Sequence, residues 1–456
     1  MRIKLDVPLS IGEIASAVGF AVTDQIDSMK ISHISLNSKA ARSGDLFIAL
    51  NGEKYKGSLF AEDAAARGAI VLSEMKDDRF LHTDDTKRAL GDIAKLYKSR
   101  LDKLSRTVMI TGSVGKSTTK SFCLRISEPT FKTHATQGNL NNEFGLPISV
   151  LSSPADTELL ILEAGMNSRG EISRLSRIAE PDIGAITNVG RAHMGKLGSL
   201  RETAKAKLEI TDGVRGDLIL PSDEPLLTSS DARYVSVGKI GGDFSMIPLD
   251  ADISGSRFAF YKNGKKTFEG KLRIPGVHLL TSLAFAISIA YTAGIPTEKI
   301  AEGVSCINEE DVRSKIIHFR DFSVYDDSYN ASPESVLAAL KTLSLFKDAP
   351  KSALLGDMLE LGEFSADAHR EIGYAAAKSG LSHLYIMGEF SEYVRSGAIN
   401  GGMEKERIFV NEFSNMPEIS ARQIIQNHEK SEIILFKASH ALDLPRVIDY
   451  IKIPEG

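Results

Sequence analysis

The run Met109-Ile110-Thr111-Gly112-Ser113-Val114-Gly115-Lys116-Ser117-Thr118-Thr119-Lys120 passes from an apolar strand through a glycine-containing loop ending Gly-Lys-Ser into a helix. Backbone N–H groups of such a loop and the N-terminus of the helix converge on one point, where they can hold a phosphate. Gly112, Ser113, Gly115, Lys116, Ser117 and Thr118 are therefore candidate nucleotide contacts. In this chemistry the Lys116 ammonium neutralises the β and γ phosphates and the Ser117 hydroxyl ligates Mg²⁺. The first glycine stands closer to Gly115 than in the common form of the motif, so the reading rests on the strand before it and the helix after it.

Other chemistry-bearing side chains follow. Glu163 closes an apolar run at residues 159–162, at the strand end where open α/β sheets bind ligands, and a carboxylate there can reach a metal on the phosphate loop. His193 follows the next run, residues 183–187, in Asn188-Val189-Gly190-Arg191-Ala192-His193, so two successive strands deliver a carboxylate and an imidazole to one edge. Lys207 falls on an expected helix, Ala204-Lys205-Ala206-Lys207-Leu208-Glu209, where spacing alone marks only a solvated lysine. Asp326-Asp327-Ser328-Tyr329-Asn330-Ala331-Ser332-Pro333 follows a further strand, and its paired acids can bind a ribose hydroxyl or an outer water of a metal. It reads equally as an acidic helix-capping segment, with Pro333 suited to a first helical turn.

These residues need a scaffold. A chain of 456 residues corresponds to about three domains at roughly 150 residues each. Residues 1–105 alternate short apolar runs (46–50, 69–72) with helix-like stretches (59–67), an α/β pattern, and residues 95–106 read as a helix and connector before the strand at 107–111. Residues 106–310 carry the βαβ rhythm of a parallel sheet, with helices expected at 116–126 and 171–179. An antiparallel insert is expected around Asn263-Gly264, a dipeptide that tolerates the positive φ angles of a tight hairpin. Residues 302–311 read as a polar connector, and residues 311–456 as a second parallel-sheet domain with strands near 323–325, 352–355, 383–387 and 433–436. The fold class is thus α/β with three domains: a smaller N-terminal α/β domain, a central phosphate-loop parallel-sheet domain and a C-terminal Rossmann-like domain.

Composition narrows the function. The 55 basic and 60 acidic residues leave a net charge of −5, which disfavours nucleic acid or a membrane surface as partner. Apolar residues at 42% and charged residues at 25% fit an ordinary globular protein. Cys123 and Cys306 are too few and too far apart for a disulfide framework, and both read as small core residues in a reducing compartment. Asp6, Pro8 and Glu13 break any signal-peptide stretch, so a cytoplasmic location is expected. The uncharged residues 279–296 read as a buried helix, since Thr281, Ser282, Ser288, Tyr291 and Thr292 interrupt them, and no integral membrane segment is expected.

Taken together, the phosphate loop, Gly44-Asp45-Leu46-Phe47-Ile48-Ala49-Leu50, Thr136-Gln137-Gly138-Asn139-Leu140-Asn141-Asn142, Glu163-Ala164-Gly165-Met166-Asn167, Thr187 to Gly190 with His193, Ala206-Lys207, the 326–330 segment and Gly356-Asp357-Met358-Leu359-Glu360-Leu361-Gly362 with His369 resemble the ATP-dependent Mur ligases of peptidoglycan synthesis. These are three-domain enzymes that join an amine to a carboxylate, and the resemblance covers nearly the whole chain. It implies that a carboxylate attacks the γ phosphate of ATP to form an acyl phosphate, which an amine then attacks. Its closest branch adds a D-alanyl-D-alanine dipeptide to a UDP-N-acetylmuramoyl tripeptide. Lys116, His193 and Lys207 are implied as catalytic. Ser117 and Glu163 are implied at one Mg²⁺ and His193 at a second, with Lys207 carbamylated to orient the second ion. Asp327 would hold the ATP ribose, and Arg313 would reach the nucleotide. Ser38, Gln137, Asn139, Asn141 and Asn142 would bind the acceptor. Closure of the C-terminal domain would complete the site and exclude water, and a monomer is expected.

The chain departs from the family pattern at several recognition positions. Val114 replaces an asparagine, and Leu279 and Ser282 replace both asparagines of Gly-x-His-Asn-x-x-Asn. Asn37-Ser38-Lys39 stands for Asp-Ser-Arg, and Lys cannot reproduce the two-pronged geometry of Arg. Ser58 and Ser168 replace histidines, and Lys437-Ala438-Ser439-His440 replaces Lys-Gly-Ser-Arg. Two alternatives accompany the lead reading: a paralogue that ligates an amino acid or dipeptide to a different carboxylate acceptor, and a noncatalytic nucleotide-binding protein.

Overall fold

In the computed structural model, which describes residues 1–52, 56–191, 194–228 and 233–452, the described strands form three sheets of five, nine and six strands. The first holds β1 (Arg2–Ser10), β2 (Lys30–Ser35), β3 (Leu46–Ile48), β4 (Ile70–Ser73) and β5 (Leu81–His82) in sequence order. Only β1 runs antiparallel to its neighbour, and its alternating burial marks a strand with one face on the core.

The nine-stranded sheet comprises β6 (Arg106–Thr111), β7 (Thr133–Ala135), β8 (Leu159–Glu163), β9 (Ile183–Ile186), β10 (Asp217–Pro221), β11 (Val235–Gly238), β12 (Phe244–Asp252), β13 (Gly255–Lys262) and β14 (Lys265–Leu272). Their order is β14-β13-β12-β11-β10-β9-β6-β8-β7, parallel from β7 to β12 and antiparallel beyond. The chain crosses from β8 over β6 to β9, and that reversal opens a crevice at the C-terminal ends of these three strands. The β13–β14 turn has Asn263 and Gly264 both at positive φ, as the dipeptide requires.

Buried side chains on the two faces of this sheet serve different cores. Met109, Leu160 and Leu162 join a cluster that continues into Ile3, Leu46, Leu90 and Tyr97, so the first two sheets share one hydrophobic core. The Tyr97 hydroxyl donates to Ser153 O at 2.7 Å inside that seam. Val108, Ile110 and Ile161 face the other way, onto the helices Lys116–Ser127 and Leu279–Thr292. A strand buried on both faces reads as a continuous apolar run, which is why β6 and β8 stood out in the sequence. The uncharged helix Leu279–Thr292 is almost wholly buried here, and no helix among the described residues is long and apolar enough to cross a membrane.

The third sheet holds β15 (Lys315–His318), β16 (Phe322–Asp326), β17 (Lys351–Gly356), β18 (Leu384–Met387), β19 (Ile408–Asn411) and β20 (Glu432–Lys437). Its order is β15-β16-β20-β17-β18-β19, with β15 alone antiparallel. Two expectations need correction. Residues 302–306 belong to the helix Thr297–Cys306, whose burial of Ile300, Gly303 and Val304 overrides the polar composition, so the connector starts later. Cys123 is a core residue, but Cys306 at the end of that helix is exposed.

Candidate active site

β6 delivers the phosphate loop to the crevice. At Gly112, φ is +152° and a Cβ would lie 1.9 Å from Thr187 Oγ1, so only glycine lets the loop pack against the end of β9. Gly115, at φ +85°, turns the chain into the helix. Asn188 braces the loop from β9: its Oδ1 accepts from Ser113 N at 3.1 Å and Val114 N at 2.9 Å, and its Nδ2 donates to Val114 O at 2.8 Å. The first N–H groups of the helix Lys116–Ser127 have no acceptor within the helix and face this loop. Val114 contributes backbone to these bonds, so a side-chain change there leaves them in place.

The loop is surrounded by buried charge of mostly one sign. Lys116 Nζ donates to Gly112 O at 2.6 Å and Ser113 O at 3.3 Å, folded back on its own loop. Burial pushes its pKa down; Glu163 opposes the shift and Arg313 adds to it. Lys120, one helical turn further on the same face, donates to Thr136 O at 2.7 Å and is likewise lowered by burial, with Glu163 opposing. Lys207 is 2% exposed in the helix Leu200–Leu208, and burial, with the Lys116 charge next, pushes its pKa well down. It forms no ion pair among the described residues. A solvated lysine, the reading from spacing alone, is thereby corrected: Lys207 sits inside beside Lys116.

Glu163, 1% exposed, is the carboxylate set among these cations. Its Oε2 accepts from Ser117 Oγ at 2.8 Å and its Oε1 from Asn141 Nδ2 at 2.8 Å, while its N–H donates to Thr136 Oγ1 at 3.0 Å. The adjacent hydroxyl and carboxylate oxygens are hard donors of the kind Mg²⁺ selects, so the residues present fit that ion. Arg313 Nη2 donates to Ser117 Oγ at 2.7 Å, and its guanidinium lies 3.5 Å from the centroid of the Tyr329 ring. Ser117, Lys120, Asn139, Arg313, Tyr329 and His440 line a cavity of about 400 Å³ between the central and C-terminal sheets. A larger cleft of about 820 Å³ lies in the N-terminal unit, but Asp77, Asp78, Asp84, Asp85 and Asp92 on its walls disfavour an anionic ligand.

The C-terminal sheet closes over the crevice. Asp327, just past β16, accepts from the nearly buried Lys437 Nζ at 2.7 Å, and Lys437 also donates to Asn330 O at 3.0 Å. His278, in the central unit, lies 3.1 Å from Thr342 Oγ1 of the helix Pro333–Leu343, and burial pushes its pKa down to about 4. Arg191 donates to Glu334 Oε1 at 2.8 Å and to Glu371 Oε2 at 2.5 Å, tying the Asn188 segment to two helices of the C-terminal unit. Gly195 N donates to Glu360 O at 3.0 Å.

Of the residues singled out in the sequence, Gly112, Ser113, Gly115, Lys116, Ser117, Thr118, Glu163, Lys207 and Arg313 gather around this loop and cavity. Asp327 stands on the facing sheet, and His193 lies outside the described residues. Gln137 and Asn139 are exposed on the loop after β7, and Asn139 reaches the cavity. Asn141 is engaged by Glu163, and Asn142 Oδ1 accepts from Gly145 N at 2.9 Å, capping the helix Gly145–Leu151. Ser38 is buried in a turn beyond β2, in the N-terminal unit. Leu279 and Ser282 are both buried, and Ser282 Oγ lies 3.0 Å from where a Gly115 Cβ would stand, directly behind the phosphate loop. The sequence assigns no role to Lys120, Asn188, Arg191 or Tyr329, which the folded chain brings to the site. Only Lys120 carried a usable signal, its spacing of four residues from Lys116.

Comparison with known proteins covers the same ground. Residues 110–290 match the family described as Mur ligase middle domain, residues 312–440 the Mur ligase, glutamate ligase domain, and residues 30–98 the Mur ligase family, catalytic domain. The chain is 33% identical over 452 residues to the UDP-N-acetylmuramoyl-tripeptide–D-alanyl-D-alanine ligase of Bacillus subtilis, covering 96% of each chain. It is 32% identical to the protein of the same name from Treponema pallidum, over 96% of this chain and 98% of that one. A crystal structure of MurF from Acinetobacter baumannii superposes with a TM-score of 0.89 at 26% identity, over 98% of this chain and 99% of that one. The MurF ligase of Thermotoga maritima in complex with ADP gives 0.79 at 28% identity, over 92% and 96%.

Proposed function

Since the chain belongs to the Mur ligase family, we propose that it is the ATP-dependent ligase that joins D-alanyl-D-alanine to a UDP-N-acetylmuramoyl tripeptide in the cytoplasm, as part of peptidoglycan precursor synthesis. The observation that carries the chemistry is the cluster of Lys116, Ser117 and Glu163 on a phosphate loop flanked by buried Lys120 and Lys207. Matches to ligases of this name over nearly the full length carry the substrates. Nothing observed favours a different acceptor or a noncatalytic role.

Two anions must meet in the first step, so charge neutralisation is the main task. An acceptor carboxylate oxygen forms a bond to the γ phosphorus as the bond to the β-phosphate oxygen breaks, releasing ADP and leaving an acyl phosphate. The dipeptide amine then adds to the acyl carbon, the tetrahedral intermediate expels phosphate, and the nitrogen gives up its proton to yield the amide. Lys116 exchanges the carbonyls of Gly112 and Ser113 for β and γ phosphate oxygens, whose negative charge offsets the desolvation of its ammonium. The triphosphate also displaces Arg313 from Ser117, freeing the hydroxyl while Arg313 keeps its place over Tyr329.

Ser117 and Glu163 would hold one Mg²⁺ and His193 a second, the ions supplying positive charge to the phosphates and to the acceptor carboxylate. Only an unprotonated amine captures CO₂, and burial lowers the Lys207 pKa toward that form, so Lys207 would serve as a carbamate that helps hold the second ion. Asp327 holds the ribose, and Ser38, Gln137, Asn139, Asn141 and Asn142 serve the acceptor, with Asn141 acting through Glu163. Residues 1–105 recognise the acceptor, residues 106–310 carry out the chemistry, and residues 311–456 close over the nucleotide. Incubation with ATP, UDP-N-acetylmuramoyl tripeptide and D-alanyl-D-alanine tests this: a product mass increased by the dipeptide residue is expected. Absence of that product at high enzyme concentration would reject the assignment.

A further inference from the structure

At the opposite end of the C-terminal sheet, away from the nucleotide cavity, Glu432 begins β20 and is completely buried. Its Oε1 accepts from the Ser352 hydroxyl and its Oε2 from Glu429 N at 3.0 Å, yet no lysine or arginine pairs with it among the described residues. Burying a carboxylate without a cation is costly. Burial accordingly pushes the Glu432 carboxyl up from its ordinary value.

The strand register gathers polar groups around it. Ser352 on β17 pairs with Ile434 on β20, and Ala353 pairs with Leu384 on β18, so Ser352, His383, Glu432 and Tyr385 share one sheet face. His383 Nδ1 stands 3.8 Å from Glu432 Oε1 and, although buried, has no hydrogen-bond partner. Tyr385 is fully buried, and its hydroxyl is also unpartnered. Burial pushes that phenol up, with Glu432 and Glu429 adding to the shift, which places the hydroxyl in the field of the same two carboxylates. Ligand atoms of His383, Glu429 and Glu432 all lie within 4.8 Å of one another.

We propose that His383 Nδ1, Glu429 and Glu432 form a divalent-cation site of the zinc class, distinct from the catalytic metals. One imidazole and two carboxylates are a donor set that Zn²⁺ accepts with a water in the remaining position. The cation neutralises Glu432, occupies the orphaned Nδ1, and gives the Tyr385 hydroxyl a metal-bound water or carboxylate oxygen to meet. It pins the start of β20 and the start of β18 to the loop after the helix Pro417–Asn427. Since β20 rises about 3.3 Å per residue from Glu432 to Lys437, the site lies roughly 17 Å from the Asp327 ion pair, and its role is structural.

The test uses the full-length protein, stripped with a chelator that is then removed, and dialysed against Zn²⁺ beside His383→Gln, Glu432→Gln and Glu163→Gln. Wild type is expected to retain one more Zn²⁺ per chain than either cluster variant, and Glu163→Gln, which can lose only a catalytic-site ion, to keep a Zn²⁺-dependent rise in unfolding temperature. Zn²⁺ should raise the unfolding temperature of wild type but not of the cluster variants, while ligase activity in excess Mg²⁺ stays equal for wild type and those variants. Glu429 is exposed, so Glu429→Gln serves if a buried substitution does not fold. Equal Zn²⁺ content in wild type and the folded cluster variants overturns the proposal. So does a His383→Gln protein that is destabilised without losing Zn²⁺, which would assign the cluster to a histidine–carboxylate ion pair.

Discussion

Replacing His278 with glutamine should flatten the acid limb of the protein's stability profile. The imidazole lies where the central unit meets the helix Pro333–Leu343, next to Thr342; it is exposed on one side, and desolvation by the packed neighbours on the other lowers its pKa from 6.5 to about 4. The unfolded chain takes up a proton near pH 6.5 while the folded chain resists until about pH 4, so stability is present above the unfolded value and lost as pH falls through that window. Full desolvation with a shift of that size would be worth roughly 3.4 kcal/mol, but solvent on the exposed side of the ring screens it, so a loss on the order of 1 kcal/mol between pH 7.5 and pH 5 is expected. Thr342 Oγ1 donates to Ala338 O at 3.0 Å, so it is His278 Nδ1–H that donates to Thr342, and a glutamine amide can replace that donor. The assay is urea unfolding of wild type and His278→Gln at several pH values between 5 and 7.5. Burial also lowers the pKa of His33, His134 and His369, but these act in both proteins, so the difference between the two slopes isolates His278. Stability that falls by the same amount in both proteins over that range would refute a His278 kept neutral by desolvation at the domain seam.

Lys207→Ala should lose activity by about a hundredfold, the scale of removing a group that orients a metal, and short carboxylates should restore part of it; a fully active variant removes the carbamate assignment. Asn188→Ala removes three hydrogen bonds that shape the phosphate loop and should raise the KM for ATP about tenfold, equivalent to roughly 1.4 kcal/mol, in steady-state assays; an unchanged KM would show that the loop holds its shape without Asn188. Arg191→Met cuts the ties to Glu334 and Glu371, and solution scattering should show a larger radius of gyration with a lower kcat. An unchanged scattering profile would mean that docking does not depend on these ion pairs. Glu163→Gln should shift the Mg²⁺ dependence of turnover to higher concentration, and an unshifted curve would take Glu163 away from the metal.

The parts legible in the sequence are those whose signal is local. β6, the glycine loop and the helix after it form one contiguous run, and Glu163 follows directly from the apolar run before it. Asn263-Gly264 announced its hairpin because the turn needs two positive φ angles. What could not be read depends on partners far apart in the chain. Arg191 meets residues 143 and 180 positions away, and Lys437 meets Asp327 across 110 positions, so neither link leaves a trace in spacing. Lys207 looked like a surface lysine because an alternating helix cannot say which neighbours cover it; its burial beside Lys116 appears only in the folded chain. The helix Thr297–Cys306 was hidden by its charged exposed face, although Ile300 and Val304, four residues apart, are its core contacts.

The proposed function requires the acceptor carboxylate to be activated by direct phosphoryl transfer at the Lys116, Ser117 and Glu163 cluster. Acceptor labelled with ¹⁸O in its terminal carboxylate tests this most directly, with the released phosphate analysed by mass spectrometry. The account predicts that each amide bond formed with D-alanyl-D-alanine transfers one labelled oxygen to phosphate, and that Lys116→Ala abolishes both events. Amide product accompanied by unlabelled phosphate would contradict it.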